Sequence, residues 1–295
     1  MNGVLIVDKP QGLTSHDVVN RVRRILGLRS VGHLGTLDPS ATGVLPIVVG
    51  NFTRLAQFYM HSEKRYEGTI RFGFPTTTYD AEGERTAPPQ SVILKLEEIR
   101  AMAAHFHGVL EQTPPPFSAK KIAGVPAYKL ARKNQEVTLK PVQVEIKEFE
   151  ILDVLGDQAT FHAHVGSGTY MRSIAHEMGQ KLGCGAHLAE LHRTAVAEFV
   201  IEEAHTLQEL ESATRQGTAE DIFVHPRTLL PLMPCVTATD ENVSLIRTGR
   251  AVNLPEMSRA PQVKVFCGQR ELIAIASRIA GTLFHPGIVL VGPAT

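Results

Sequence analysis

Residues 32–43, Gly-His-Leu-Gly-Thr-Leu-Asp-Pro-Ser-Ala-Thr-Gly, constrain this chain more than any other stretch. Gly32, Gly35 and Gly43 surround a single acid, Asp38, which stands directly before Pro39. A proline ring disfavours the helical region for the residue before it, so Asp38 is held extended or in a turn. Glycines let the backbone turn tightly and lie close to a neighbour. The stretch therefore reads as a stiff loop that presents one carboxylate. On pattern alone a plain Asp-Pro turn is the simplest reading. A phosphate cradle is weaker, because neither GxxxxGK[ST] nor GxGxxG is present.

Around that loop the apolar spacing predicts strands and helices in alternation. Residues 3–7 read as a short buried strand. Lys9-Pro10-Gln11-Gly12 is a turn, Thr14 and Ser15 can each cap the helix that follows, and Asp17 sits three residues after Thr14. Val18, Val19, Val22, Ile25 and Leu26 share one helical face, Arg21 and Arg24 point away from it, and Gly27 can end the helix. Residues 44–49 are a buried strand or short core segment, 66–74 a strand, and 75–90 a loop rich in Thr, Pro and Gly. Leu96, Ile99, Met102, Ala103 and Phe106 mark a second helix with Gly108 just past its end. Residues 142–154 and 159–165 read as strands separated by Gly156-Asp157. Met171, Ile174, Ala175, Met178 and Leu182 line a third helix that starts near Thr169. Residues 205–235 form a connector with a weak helix. Asp240 caps a short helix, and the apolar runs 262–267, 271–276 and 287–291 predict a small, mainly β module.

Composition narrows the function classes. A chain of 295 residues suggests two domains, with boundaries here at 1–232 and 233–295. The start lacks the basic and long apolar regions of a signal peptide, and no run approaches ~18 apolar residues, so a cytoplasmic protein is expected. Cys184, Cys235 and Cys267 are odd in number and dispersed, which fits reduced thiols and gives no zinc pattern. The net charge of +0 argues against a non-specific polyanion binder. Charge is nevertheless segregated. Residues 1–60 and 118–133 are basic, the latter through Lys120, Lys121, Lys129, Arg132 and Lys133, and 198–221 are acidic. Such a distribution gives one RNA-facing side, or simply solvated faces. His162 and His164 lie on one side of a strand, but no acid or cysteine stands nearby in sequence to complete a metal site.

Residues 32–46, GHLGTLDPSATGVLP, resemble the catalytic motif of the TruB family of pseudouridine synthases. Four further matches follow in family order: Lys9-Pro10-Gln11-Gly12-Leu13-Thr14-Ser15, Lys64-Arg65-Tyr66, Pro115-Pro116-Phe117-Ser118-Ala119-Lys120-Lys121, and Gly168-Thr169-Tyr170-Met171-Arg172-Ser173. They span residue 3 to about 200. The resemblance implies an α/β (α+β) pseudouridine synthase fold with a mostly antiparallel central sheet. Leu245 to Val252 has a short likeness to the PUA RNA-binding modules that end many members, which implies a PUA-like C-terminal domain.

The implied activity is isomerisation of a T-loop uridine of tRNA (position 55 in tRNA numbering) to pseudouridine, with base flipping and no cofactor. By resemblance Asp38 is the essential carboxylate, Arg172 the arginine that pairs with it, and Tyr66 the tyrosine against the target uracil. Tyr170 and Leu191 match pocket walls, and His33 the residue that fills the space left by the flipped base. Lys9, Lys120, Lys121 and the Arg21/Arg24 face are assigned to phosphates. The expected partner is the tRNA T-arm stem-loop, with no metal, membrane or guide RNA, and the expected state is a monomer. The chain begins close to Gly3, like the stand-alone bacterial type. It departs from the family at Val165-Gly166-Ser167, where members often carry Cys-Ser, and at His192-Arg193, where they carry two arginines. Two other classes remain: an RNA-binding or RNA-folding protein with a vestigial site, and a metal-dependent hydrolase using His162, His164, His187 or His192. Asp38, Tyr66 and Arg172 together argue against the first; the lack of HExxH or CxxC argues against the second.

Overall fold

The computed structural model describes residues 1–118, 120–122, 125–126 and 139–291. Lys129, Arg132 and Lys133 of the basic run lie outside the described residues, and Lys121 is described by its backbone alone.

The order is β1 (Gly3–Lys9), α1 (Ser15–Leu26), β2 (Val31–His33), β3 (Thr42–Val49), a 3-10 segment (Gly50–Tyr59), β4 (Lys64–Phe72), α2 (Leu96–Ala103) and β5 (Gly108–Gln112). The short β6 (Lys121–Ile122) and β7 (Val125–Pro126) follow, then β8 (Val142–Leu155), β9 (Gln158–Val165), α3 (Met171–Lys181), β10 (Ala186–Val196), β11 (Phe199–Val200) and α4 (Leu207–Gln216). The chain continues through β12 (Cys235–Thr237), α5 (Asp240–Arg247), β13 (Val252–Asn253), β14 (Gln262–Cys267), β15 (Glu271–Ala280) and β16 (Leu283–Val289).

One large sheet runs β1-β3-β10-β4-β9-β8-β5, with β2 beside β3 and β11 beside β10. Its pairings are antiparallel except β3 with β10, where Thr42 lies beside His192 and Gly43 beside Arg193. The expected mixed fold with a mostly antiparallel sheet is therefore found. β1 is apolar on both faces because both are covered: Leu5 and Val7 join a front core, Val4 and Ile6 a back core. β8 covers one face only. Val144, Ile146, Phe149 and Ile151 point inward, and irregularities at Lys147 and Leu152 restart the alternation.

Helices α1, α2 and α3 cover the front. Thr14, not Ser15, caps α1: its hydroxyl accepts from the Asp17 N–H at 3.0 Å, and the Asp17 carboxylate accepts from the Thr14 N–H. Gly27, at φ +66°, closes the helix. Helix α2 stops at Ala103, short of Phe106, and Gly108 opens β5. In α5 the cap is Thr239, one residue earlier than expected, and Asp240 lies in the first turn, where the helix dipole favours an acid.

A second sheet, β12-β14-β15-β16-β13, has its own core around Val236, Ile246, Val263, Val265 and Phe284. It is seated on the back of the large sheet. Phe266, Leu272, Ile275 and Leu290 pack with Phe52, Leu55 and Tyr59 of the 3-10 segment and with Leu229. The buried Lys264 ammonium donates to the Arg227 and Leu229 carbonyls and ties the connector to β14. Among the described residues, no helix is long and apolar enough to cross a membrane.

Candidate active site

The loop between β2 and β3 is pinned from four directions. Gly12 N–H donates to the Pro39 carbonyl at 2.8 Å. The buried Ser15 hydroxyl donates to the Leu37 carbonyl at 2.9 Å and accepts from the Leu37 N–H at 2.8 Å. Lys9 is fully buried, and its Nζ donates to the carbonyls of Pro10, Leu13 and Pro39 at 2.9, 2.8 and 3.2 Å. Arg193 is also fully buried, donating to Val44, Thr36 and Gly35 carbonyls at 2.8, 3.0 and 3.1 Å. A Cβ at Gly43 would lie 2.3 Å from the Arg193 carbonyl, so the close approach of β3 to β10 requires glycine there.

One expectation is corrected here. Lys9 is not a phosphate contact: its ammonium is spent on carbonyls inside the fold, and burial lowers its pKa to about 8 against the opposing pull of Asp38. Arg193, noted in the sequence only as a departure from the family pattern, is likewise a clamp on the loop.

The pinned loop leaves the Asp38 side chain 33% exposed, facing Arg172. Arg172 reaches it from the first turn of α3. That turn is fixed by the buried Gln112 side chain, whose Oε1 accepts from the Tyr170 N–H at 2.8 Å while its amide donates to the Tyr170 carbonyl at 3.1 Å. Arg172 Nε lies 2.9 Å from Asp38 Oδ2, but its N–H is not aligned on that oxygen, so the pair is held by charge and proximity. No aligned hydrogen bond joins the two side chains. The guanidinium is shared instead with Asp80 Oδ2 at 3.4 Å and with the Thr78 and Phe117 carbonyls at 3.1 and 3.2 Å.

Asp80 is the site residue that the sequence reading missed. It lies in the 75–90 loop, is as buried as Arg172, and accepts from the Thr78 hydroxyl at 2.5 Å and from the Glu82 N–H at 3.1 Å. Its neighbour Tyr79 adopts φ +64°, a left-handed backbone unusual for a tyrosine, and stacks on His176 at 3.7 Å. The one available signal was an acid inside a Thr-rich turn. Glu82 follows, with its carboxyl pushed up by burial and by Asp80 and Asp38.

Tyr66 is 8% exposed on β4, opposite Arg193 of β10 and Ala163 of β9. Leu191 pairs with Gly68, two residues from Tyr66 on the same face, so the two side chains are diagonal neighbours on the front of the sheet. Tyr170 is half-buried, and burial, with the nearby Asp38 charge, raises its phenol pKa. His33 ends β2, and its Nδ1 accepts from the Gly35 N–H at 3.3 Å. Burial, then Arg193 and His16, lower its imidazole pKa, so the ring is neutral at pH 7. Lys120 is exposed.

Two family sequence models cover this frame. The TruB family pseudouridylate synthase N-terminal domain matches residues 23–171, and the tRNA pseudouridylate synthase B C-terminal domain matches residues 172–242. The chain belongs to the TruB family. It is 47% identical to the tRNA pseudouridine synthase B of Solibacter usitatus (strain Ellin6076) over 293 residues, 98% of this chain and 100% of that relative. It is 38% identical to the tRNA pseudouridine synthase B of Bacillus cereus (strain ATCC 10987 / NRS 248) over 297 residues, 98% and 95% of the two. Among solved structures, Cbf5-Nop10-Gar1 matches with a TM-score of 0.72 at 25% identity, covering 99% of this chain and 85% of the other. The archaeal box H/ACA sRNP Nop10-Cbf5 complex matches at 0.69 and 26%, covering 99% and 86%.

In this TruB family member the four histidines of the hydrolase reading have separate partners. His187 Nδ1 meets the Phe74 carbonyl at 3.1 Å and His192 Nδ1 the Thr42 hydroxyl at 2.8 Å. His164 Nε2 lies 2.8 Å from Glu63. His162 faces Glu148 at 3.7 Å, and donor atoms of Glu148, Glu150 and His162 fall within 4.8 Å of one another. The acids absent from the local sequence thus come from the neighbouring strand β8. None of these contacts involves Asp38.

Proposed function

We propose that this TruB family enzyme isomerises a T-loop uridine of tRNA, position 55 in tRNA numbering, to pseudouridine, with Asp38 as the essential carboxylate. The observation that carries this reading is the Asp38–Arg172 pair, 2.9 Å apart at the end of a loop pinned by buried side chains. The tRNA pseudouridine synthase B names of the relatives support the substrate.

The isomerisation breaks the N1–C1′ bond, turns the uracil and rejoins it through C5, with no redox change. Attack at C1′, addition at C6 and proton loss at C2′ all need a carboxylate held beside the ribose–base junction. A fixed guanidinium with four partners orients that carboxylate and cannot lose its charge. Tyr66 lies against the target uracil and serves the C5 proton late in the reaction. Tyr170 and Leu191 wall the pocket and keep the detached base from leaving. The base must leave its stack, a cost of about a few kcal/mol that is smaller in a loop than in a duplex. His33 fills the space it vacates. Lys120 and Lys121 meet phosphates, and the C-terminal sheet holds a more distant part of the same tRNA as a PUA-like module. The enzyme acts as a monomer without a guide RNA.

The test is Asp38→Asn with unmodified tRNA transcript. Pseudouridine formation is lost, while tRNA binding stays within about tenfold, ~1.4 kcal/mol. Full activity in Asp38→Asn overturns the assignment.

A further inference from the structure

Lys64 opens β4 two residues before Tyr66, on the same face of the strand. Its ammonium donates to the Ser62 carbonyl, and among the described residues no carboxylate lies within ion-pair distance of it. Arg193, fully buried, also meets carbonyls alone. The Lys64 stem and the Arg193 guanidinium flank Gly35. A Cβ placed there would lie 3.7 Å from Lys64 Cε and 4.0 Å from Arg193 Nη1. Gly35 has φ +137°, so its backbone already favours glycine, and the missing side chain leaves a notch between the Lys64 stem and the Arg193 guanidinium. His33 joins the group through the Gly35 N–H, which leaves its other ring nitrogen to carry the proton.

Two like charges held together without an anion are costly. Burial and Arg193 lower the Lys64 ammonium to about 8, the mark of a cation that lacks a counter-ion. Gly35 is three residues from Asp38, at most about 11 Å of chain, within reach of a nucleotide whose ribose sits at Asp38.

We propose that this notch seats one phosphodiester of the RNA strand that carries the target uridine, with Lys64 as the contact and Arg193 as the buried charge behind it. The inference rests on the RNA substrate proposed above. It adds an anion seat on β4 and β10, apart from Lys120 and Lys121.

The test uses the full chain carrying Asp38→Asn and T-arm hairpin RNAs in which one phosphodiester at a time, around the target uridine, is replaced by a neutral methylphosphonate. One neutral linkage weakens binding about tenfold, Lys64→Gln weakens the unsubstituted RNA by a similar factor, and the two together add little more. Lys64→Arg restores the sensitivity to that linkage. If Lys64→Gln instead weakens every RNA equally and the position dependence survives, the lysine supports the fold and the seat is overturned. Competition by inorganic phosphate that is equal for the parent and Lys64→Gln also counts against it. Conversion of the unsubstituted hairpin by the otherwise unaltered chain is followed in parallel. Its absence sinks the functional reading itself, whereas conversion with independent, additive effects sinks the seat alone.

Discussion

On the front of the large sheet, Arg172 lies 2.9 Å from Asp38 with 6% of its side chain exposed. On the back, His164 lies 2.8 Å from Glu63, with 20% and 44% of the side chains exposed, and Lys147 pairs with the same carboxylate. The distances match; the surroundings do not. Exposed pairs gain little, because water and salt screen them and their side chains lose freedom on pairing. Buried charges must be held on all sides, and a group so held keeps one position. The front therefore invests its cations in geometry. Arg172, Arg193 and Lys9 fix the carboxylate, the loop and the turn, while the back-face pairs decorate a surface.

Substitutions on the two faces should separate widely. The largest effect is expected for Arg172→Met, which leaves the buried Asp80 unpaired and Asp38 unoriented. Turnover falls about a hundredfold or more, and unfolding free energy by about 3 kcal/mol in denaturant titration. Arg193→Met comes next. Stripping three carbonyls of their donor costs ~3 kcal/mol, and activity falls because the loop loosens. Wild-type stability in that variant would remove Arg193 from the clamp. Lys9→Met costs ~2 kcal/mol but leaves the salt slope of tRNA binding unchanged, since Lys9 touches no phosphate; a flatter slope would restore the phosphate role withdrawn above. Lys9 also sets a pH signature. Its folded pKa is about 8 against an ordinary 10.5, so the unfolded chain holds this proton longer, and stability relative to Lys9→Met rises with pH between those values. The smallest effect is on the back: Glu63→Gln with His164→Ala changes stability by less than about 1 kcal/mol, less still in high salt.

The two faces also differ in how far the sequence disclosed them. Helix α1 was readable to within one residue of its cap, left between Thr14 and Ser15, because Thr14 with Asp17 at one end and Gly27 at the other act within a turn of the helix ends. Asp38 and Arg172 were found through motif likeness, not through any local rule that joins them. Strand β10 escaped notice: His187, Glu190, His192 and Arg193 break its apolar pattern, and its register shifts twice against β4. Asp80 was hidden for a similar reason, since its role arises from packing against α3 and its loop has no period. Lys9 was misassigned, and the clamp role of Arg193 went unseen, because a sequence shows a charge but not its burial. Glu148 and Glu150 meet His162 only across a strand pair, a neighbourhood that local spacing cannot display.

The central claim is that one pinned carboxylate isomerises one uridine. Release of tritium from C5-labelled uridine in unmodified tRNA transcript tests it most directly. Wild type, Asp38→Asn and a transcript with the T-loop uridine changed to cytidine are run side by side. The account predicts release by wild type on the normal transcript and none in the other two arms. Release by Asp38→Asn, or from the cytidine transcript, would contradict it.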